Sequence, residues 1–431
     1  MTRTAPRLAG LLTALLLTAC SVPAPSPSLS PSIDPELARR AACAGAVQGV
    51  VDAVRLFVEP YNVTQPSATP STTTSPTASP TPGEVDIQSS LEQAQRTIRA
   101  NKCDEKDFTT DLELRLAGVT TRGPVAGAVL RRLSAGMTGQ IGEQVGVIEV
   151  AIGDDLALVI SRAPAGATLM LPAGTVKLSE PLVLLDGVII VGAGRSATVL
   201  TTSAADAGIF VLTADLVSIN DLTLRRVGKA IGSGIVTGPQ AVLSLSSVRV
   251  LGARAGKDNQ GGAGVQLSAE GSQAAGRGTT LEVTDSIFEN NAWTGIAASG
   301  GHRVSIVSSR FSNNKQCGIC FLDGSEGSVS GSRFERNGIG VAVIGDATPT
   351  IANNRITAGD VGIQSSGTAR PSIDRNTISG STRAAVIYTD KAAGTLGHTT
   401  CQKVRYGIVL GRSSVPTLID NTCSLVRGGE S

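Results

Sequence analysis

Aromatic residues make up 3% of the 431 residues, and there is one tryptophan and there are two histidines. So little aromatic surface argues against a conventional bulky core and against base-stacking platforms for nucleic acid. Two histidines, His302 and His398, are too few for a histidine-rich zinc centre. Charge of either sign is not in excess: 37 Lys+Arg against 35 Asp+Glu leave a formal +2, which gives no electrostatic footprint for nucleic acid. No long uninterrupted apolar run follows Cys20, and no glycine-rich phosphate loop is present.

What is abundant is glycine, 50 residues, together with Val, Ile, Ser and Thr. That composition suits many thin layers filled by small and β-branched side chains.

The beginning, MTRTAPRLAGLLTALLLTAC, has a basic start, an apolar stretch from Leu8 to Leu17 and small residues before Cys20. It is read as a signal peptide over 1–19. Leu17-Thr18-Ala19-Cys20 resembles a bacterial lipobox, and the resemblance implies cleavage before Cys20 and lipid on its thiol, hence an extracytoplasmic protein held to a membrane by that anchor alone. A Pro/Ser tether follows to residue 35. A helical module is expected over 36–136, interrupted at 64–83 by a Pro/Thr/Ser insert with too little apolar content to form a core. Six cysteines remain beyond Cys20, and in an oxidising compartment disulfides are the default. Cys43 and Cys103 bracket the helical blocks; either a bridge ties them across the insert or they are separate buried thiols.

From residue 154 to about 425 the chain repeats. Gly295, Gly318, Gly340, Gly362, Ala385 and Gly407 recur every 22 or 23 residues. So do Phe288, Phe311, Phe334, Ile356, Ile378, Cys401 and Cys423, and likewise Val283, Ile306, Val329, Ile351, Ile373, Leu396 and Leu418. A fixed period of this size means a solenoid. Each unit holds short β-like runs and has no room for a helix, and the Leu-x-x-Leu-x-Leu framework of leucine-rich repeats is missing. The fold expected is a single-stranded parallel β-helix, mainly β, with coils stacked about 4.8 Å apart. Recurring Asn354, Asn376 and Asn421, with Thr399 between, fit side-chain ladders at a turn. Cys401 and Cys423 share an inward column one coil apart, so a disulfide can close between them. Gln-Cys-Gly-Ile-Cys at 316–320 matches a redox or zinc Cys-x-x-Cys, but no helix follows to lower a thiol pKa and no second ligand pair exists. Strand alternation places Cys317 inward and Cys320 outward; a structural role or a local bridge is expected.

This region, including APAGATLMLPAGTVKL and GVIIVGAG at its start, resembles the right-handed β-helix proteins of the pectate-lyase-like superfamily. The resemblance implies fold specifically; for activity it implies only a range, from lyases, hydrolases and epimerases to adhesins. Polysaccharide-active relatives carry charged groups on an outer strand face or the loop beside it. Here the outward residues of the Gly-aliphatic strand (Ala297, Cys320, Ala342, Gln364, Ile387, Val409 among them) are uncharged, and paired-Asp, Gly-His-Gly and Asp-Pro-His-Asp clusters are absent. Three polar groups remain. The turn after that strand brings His302, Arg303, Asp323, Glu326 and Asp346 from three successive coils; Asp323, Glu326 and Asp346 are candidate Ca²⁺ ligands, and His302, Arg303, Asp323 and Asp346 a candidate acid–base set. Arg310, Arg333 and Arg355 form an outward column for an anionic glycan, although Glu289 and Glu335 two positions along offer cross-coil ion pairs instead. Lys257 and Asp258 open a long glycine-rich insertion over 252–278. Three functions follow: a surface protein that binds or presents a polysaccharide or cell-wall polymer, a polysaccharide-modifying lyase, hydrolase or epimerase, or a structural spacer. A monomer is expected in each case.

Overall fold

The computed structural model describes residues 34–62, 87–142, 144–257, 260–267, 278–357 and 359–427. Signal peptide, Cys20, most of the tether, the Pro/Thr/Ser insert and Asp258 lie outside the described residues.

Short strands, each broken by a turn after three to six residues, stack in register into three parallel sheets of twelve, ten and eleven strands, here sheets A, B and C. Sheet A runs from Val147–Glu149 to Thr417–Ile419 and sheet B from Gly174–Leu178 to Thr400–Gln402; sheet C runs from Leu182–Leu184 to Leu425–Arg427. One coil passes from A to B to C and then rises to the next A strand, which makes a right-handed parallel β-helix. The repeat columns are its layers. Val283 pairs with Ile306, Ile306 with Val329, and so on to Leu418 in sheet A. In sheet B Phe288, Phe311, Phe334, Ile356, Ile378 and Cys401 follow one another. The three phenyl rings stack with centroids 5.1 and 4.9 Å apart, forming one internal pile in sheet B.

Two side-chain ladders satisfy the turn backbones that stacking buries. Between sheets A and B, Ser286, Ser309, Ser332, Asn354, Asn376, Thr399 and Asn421 occupy one position. The N–H of Ser332 donates to Asn354 Oδ1 at 2.9 Å, that of Asn354 to Asn376 Oδ1 at 3.0 Å, and that of Thr399 to Asn421 Oδ1 at 2.9 Å. After sheet B a second ladder joins Asn291, Asn314 and Asn337, whose N–H of Asn314 donates to Asn337 Oδ1 at 3.0 Å. The residue just before each first-ladder position is left-handed: Ser308, Gly331, Asn353, Arg375, His398 and Asp420 all have positive φ.

Cys401 and Cys423 are joined with Cα atoms 5.0 Å apart, which fastens the last coil to its neighbour. Cys317 and Cys320 are also joined, and both lie on the outer face of sheet C against Ala342. The inward placement of Cys317 is therefore corrected. Gly318 interrupts the alternation, because its own inward direction is taken by Phe334, and Ile319 and Phe321 fill the core. The uncharged outer strip continues through Val361, Ala384, Ile387 and Val409, which pack on one another and are themselves buried.

Helices α1 (Pro35–Val58), α2 (Ile87–Asn101), α3 (Glu105–Ala117) and α4 (Pro124–Met137) form the N-terminal module. Asp34 and Asp104 cap α1 and α3 through their side chains. Helix α1 is apolar enough and, continued to Asn62, long enough to cross a membrane, yet Val47, Val50, Val51, Val54 and Val58 are buried against α2, α3 and α4. The Cys43–Cys103 disulfide ties α1 to the residues after α2. Ala128 of α4 packs on Val183, Ala207 and Phe210 of the first sheet C coils, and the ion pairs Arg131–Glu180 and Arg132–Asp186, both 2.7 Å, flank the contact. Helix α5 (Leu156–Arg162) closes the N-terminal end of the solenoid, with Leu156 and Ile160 in the coil core.

Candidate functional site

The turn after sheet C holds the first predicted group only in part. Ser299 Oγ donates to Asp323 Oδ2 at 3.4 Å. Asp323 stands beside Gly345, and Asp346 beside Gly324, so these two carboxylates occupy neighbouring coils. Arg303 and Glu326 bond to each other at 2.6 Å, which engages both charges. His302 departs from the expectation. It is fully buried, and its Nδ1 accepts the Thr279 N–H at 2.9 Å, because it occupies the inward row of the turn that continues with buried Ser325 and Ala347. The acid–base set is thus not assembled on one surface. Among the described residues no three His, Cys, Asp or Glu side chains converge as ligands, and Glu326 is committed to Arg303.

The arginine column is assembled. Arg310, Arg333 and Arg355 are directly in register on successive sheet B coils, all exposed. Their engagements differ. Arg249, lower on the same face, pairs with Glu289 one coil up, and Arg310 repeats this with Glu335 at 2.7 Å. Above Arg333 and Arg355 the corresponding residues are Thr357 and Ser379, so neither guanidinium has an ion-pair partner among the described residues. The ladder of three is reduced to two free cations. Arg336, in the turn after Arg333, donates to Asn313 Oδ1 at 3.0 Å. Beyond Arg355 the strip becomes neutral and polar, with Thr377, Ser379, Thr400 and Gln402. Lys257 is exposed at the base of the insertion, held by bridges from Gly232 to Arg254 and from Ala255 to Gly261.

One cluster was not anticipated from sequence. On the ridge between sheets A and B, His398 Nδ1 lies 2.7 Å from Asp374 Oδ1, and Arg375 Nη1 lies 2.6 Å from Asp374 Oδ2. Arg375 and His398 occupy the left-handed turn position on successive coils. The hydrogen bond from His398, with Arg375 adding to it, holds the Asp374 carboxyl below the usual carboxylate range. The signal was present in the sequence: the residue preceding each ladder Asn or Thr recurs at the same spacing and faces outward.

Among solved structures, the chain is similar to the mannuronan C-5 epimerase AlgE6 A-module of Azotobacter vinelandii (16% identity, TM-score 0.41, 62% of this chain and 88% of that one). It is similar also to the catalytic unit of a GH87 α-1,3-glucanase from Streptomyces thermodiastaticus (14%, 0.39, 67% and 70%). A third is the Streptococcus pneumoniae surface protein and adhesin PfbA (11%, 0.37, 61% and 91%). No curated protein matches the sequence. The family described as "Right handed beta helix region" matches residues 207–378 and 263–424, which together span half of the chain. The protein belongs to this right-handed β-helix family.

Proposed function

We propose that the protein is an extracytoplasmic scaffold, anchored by lipid on Cys20 and acting as a monomer, that binds an acidic polysaccharide or cell-wall polymer along sheet B. The observation that carries this reading is the pair Arg333 and Arg355. They stand in register on adjacent coils, exposed, without a carboxylate partner among the described residues, while Arg249 and Arg310 on the same face are neutralised. A guanidinium recognises a carboxylate with two parallel hydrogen bonds, and a coil repeat of about 4.8 Å presents such groups at intervals close to the rise of one sugar in an extended chain. Three disulfides fit an oxidising compartment outside the cytoplasm. The near-neutral balance of the chain and its few aromatics favour a glycan over nucleic acid. Modification of the polymer through Asp323 has less behind it, since His302 is buried and Arg303 and Glu326 are paired.

The test is electrophoresis of the full chain through gels containing polygalacturonate or dextran, with polymer length followed by mass spectrometry. Retardation by the polyuronate alone, with its length unchanged, is expected. Shortened or unsaturated products would establish a modifying enzyme instead. Equal mobility in both gels would leave a structural spacer.

A further inference from the structure

The Asp374–Arg375–His398 ridge lies beside the upper end of the sheet B strip. Arg355, Thr377 and Thr400 follow one another up that strip. Arg375 and His398 come two residues before Thr377 and Thr400, in the turns that lead into them. A polymer lying along the coil axis on Arg333 and Arg355 meets this ridge next. We propose that the ridge is a proton-gated carboxylate subsite of the same strip, in which protonation of His398 tightens the hold on an acidic glycan. The inference rests on the reading of sheet B as the glycan face.

The argument is one of charge at a fixed geometry. With a neutral imidazole, Asp374 balances Arg375 and Asp420, one coil above, leaves the ridge net negative, so it repels an anion. Across the range in which imidazoles change charge, roughly pH 5–8, Asp374 stays ionised, since its titration lies below that range. A proton taken up by His398 therefore cancels that net negative charge and removes the repulsion. The other charged groups around the ring are few. Arg375 stands one coil below and Asp420 one coil above, both in the same left-handed turn position, and Arg355 lies a further coil down on sheet B. Asp420 sets the resting charge of the ridge but not the sign of the change. Asp374 is a positioning residue here: it fixes Nδ1, so that the rest of the ring, with a side chain 45% exposed, faces the solvent from which a carboxylate would arrive. The second histidine, His302, is fully buried in the turn after sheet C and is not on this face.

The test is the affinity of the full chain for polygalacturonate at pH 5.5 and pH 8.0 at constant ionic strength, for the wild type and for His398→Gln. The polyuronate keeps its charge across this interval, so a change reports the protein. We expect wild-type binding about fivefold tighter at pH 5.5, the worth of about one surface charge contact, and His398→Gln with the wild-type affinity of pH 8.0 at both values. A proton NMR titration supplies the second readout: one of the two histidine ring signals should titrate, and polygalacturonate should raise its midpoint. Wild-type binding that is equal at both pH values, or a pH dependence that survives in His398→Gln, overturns the inference while leaving sheet B binding intact. Absence of binding at both values overturns both.

Discussion

A β-carbon added to Gly318 would stand 2.6 Å from Cδ1 of Phe334 and 2.7 Å from the carbonyl oxygen of Gly340. The glycine column is thus a packing device, the space that the next coil's large residue needs. Gly295 repeats it against Phe311, Gly340 against Ile356 and Gly362 against Ile378. Where the next coil offers only Cys401, the column admits Ala385. Gly318→Ala should therefore cost about 1–3 kcal/mol, the usual penalty of overpacking a tight core. Adding Phe334→Leu should return part of it, while Ala385→Gly should cost no more than about 1 kcal/mol. Denaturant unfolding midpoints decide. Additive losses in the double variant would show that glycine is needed there for another reason.

The Asn ladder carries a similar load in hydrogen bonds. Asn354 is buried, accepts the N–H of Ser332 and donates from Nδ2 to Val329 O at 2.9 Å. Asn354→Ala leaves both backbone groups without these partners and should lower stability by about 2–3 kcal/mol. Ser328→Ala, on the outer face of sheet A, should stay within about 0.5 kcal/mol. Equal effects would place the ladder's contribution elsewhere.

The terminal disulfide should act locally. Cys401 and Cys423 close a loop with a separation of 22 residues, for which the chain-entropy relation gives about 3 kcal/mol. In Cys401→Ser/Cys423→Ser, hydrogen exchange should accelerate over residues 395–427, while coils such as Arg303–Val307 keep their protection. Uniform acceleration along the solenoid would instead show that the last coil governs the stability of all the others.

The architecture was legible because a solenoid writes its packing into the sequence at a fixed interval: each layer must repeat the same inward Val or Ile, the same Phe or Ile and the same Gly. Asn354 and Asn376 were legible for the same reason. Positions at which the period is kept but the direction of a side chain changes were not. Cys317 faces outward because Gly318 breaks the alternation, and His302 faces inward because its turn continues a buried row. The docking of Ala128 on Phe210 joins two regions with different periodicity, so no spacing rule links them. Among the candidate groups, the register of the arginine column was readable from intervals of 23 and 22 residues. Its division into neutralised Arg310 and the pair Arg333 and Arg355, without ion-pair partners among the described residues, depends on which residue lies one coil up, which only the strand pairing shows.

That division gives the most direct test of the account. Polygalacturonate affinity at fixed pH and low salt would be compared for the full chain, for Arg333→Gln/Arg355→Gln and for Arg310→Gln. The double variant should lose at least about tenfold and most of its salt sensitivity, since exposed charge contacts are screened over about 10 Å at 0.1 M salt. Arg310→Gln should change the affinity by less than about threefold, because Glu335 already neutralises that guanidinium. Equal losses in the two variants, or a double variant that binds as tightly as the wild type, would contradict the assignment of sheet B as the glycan face.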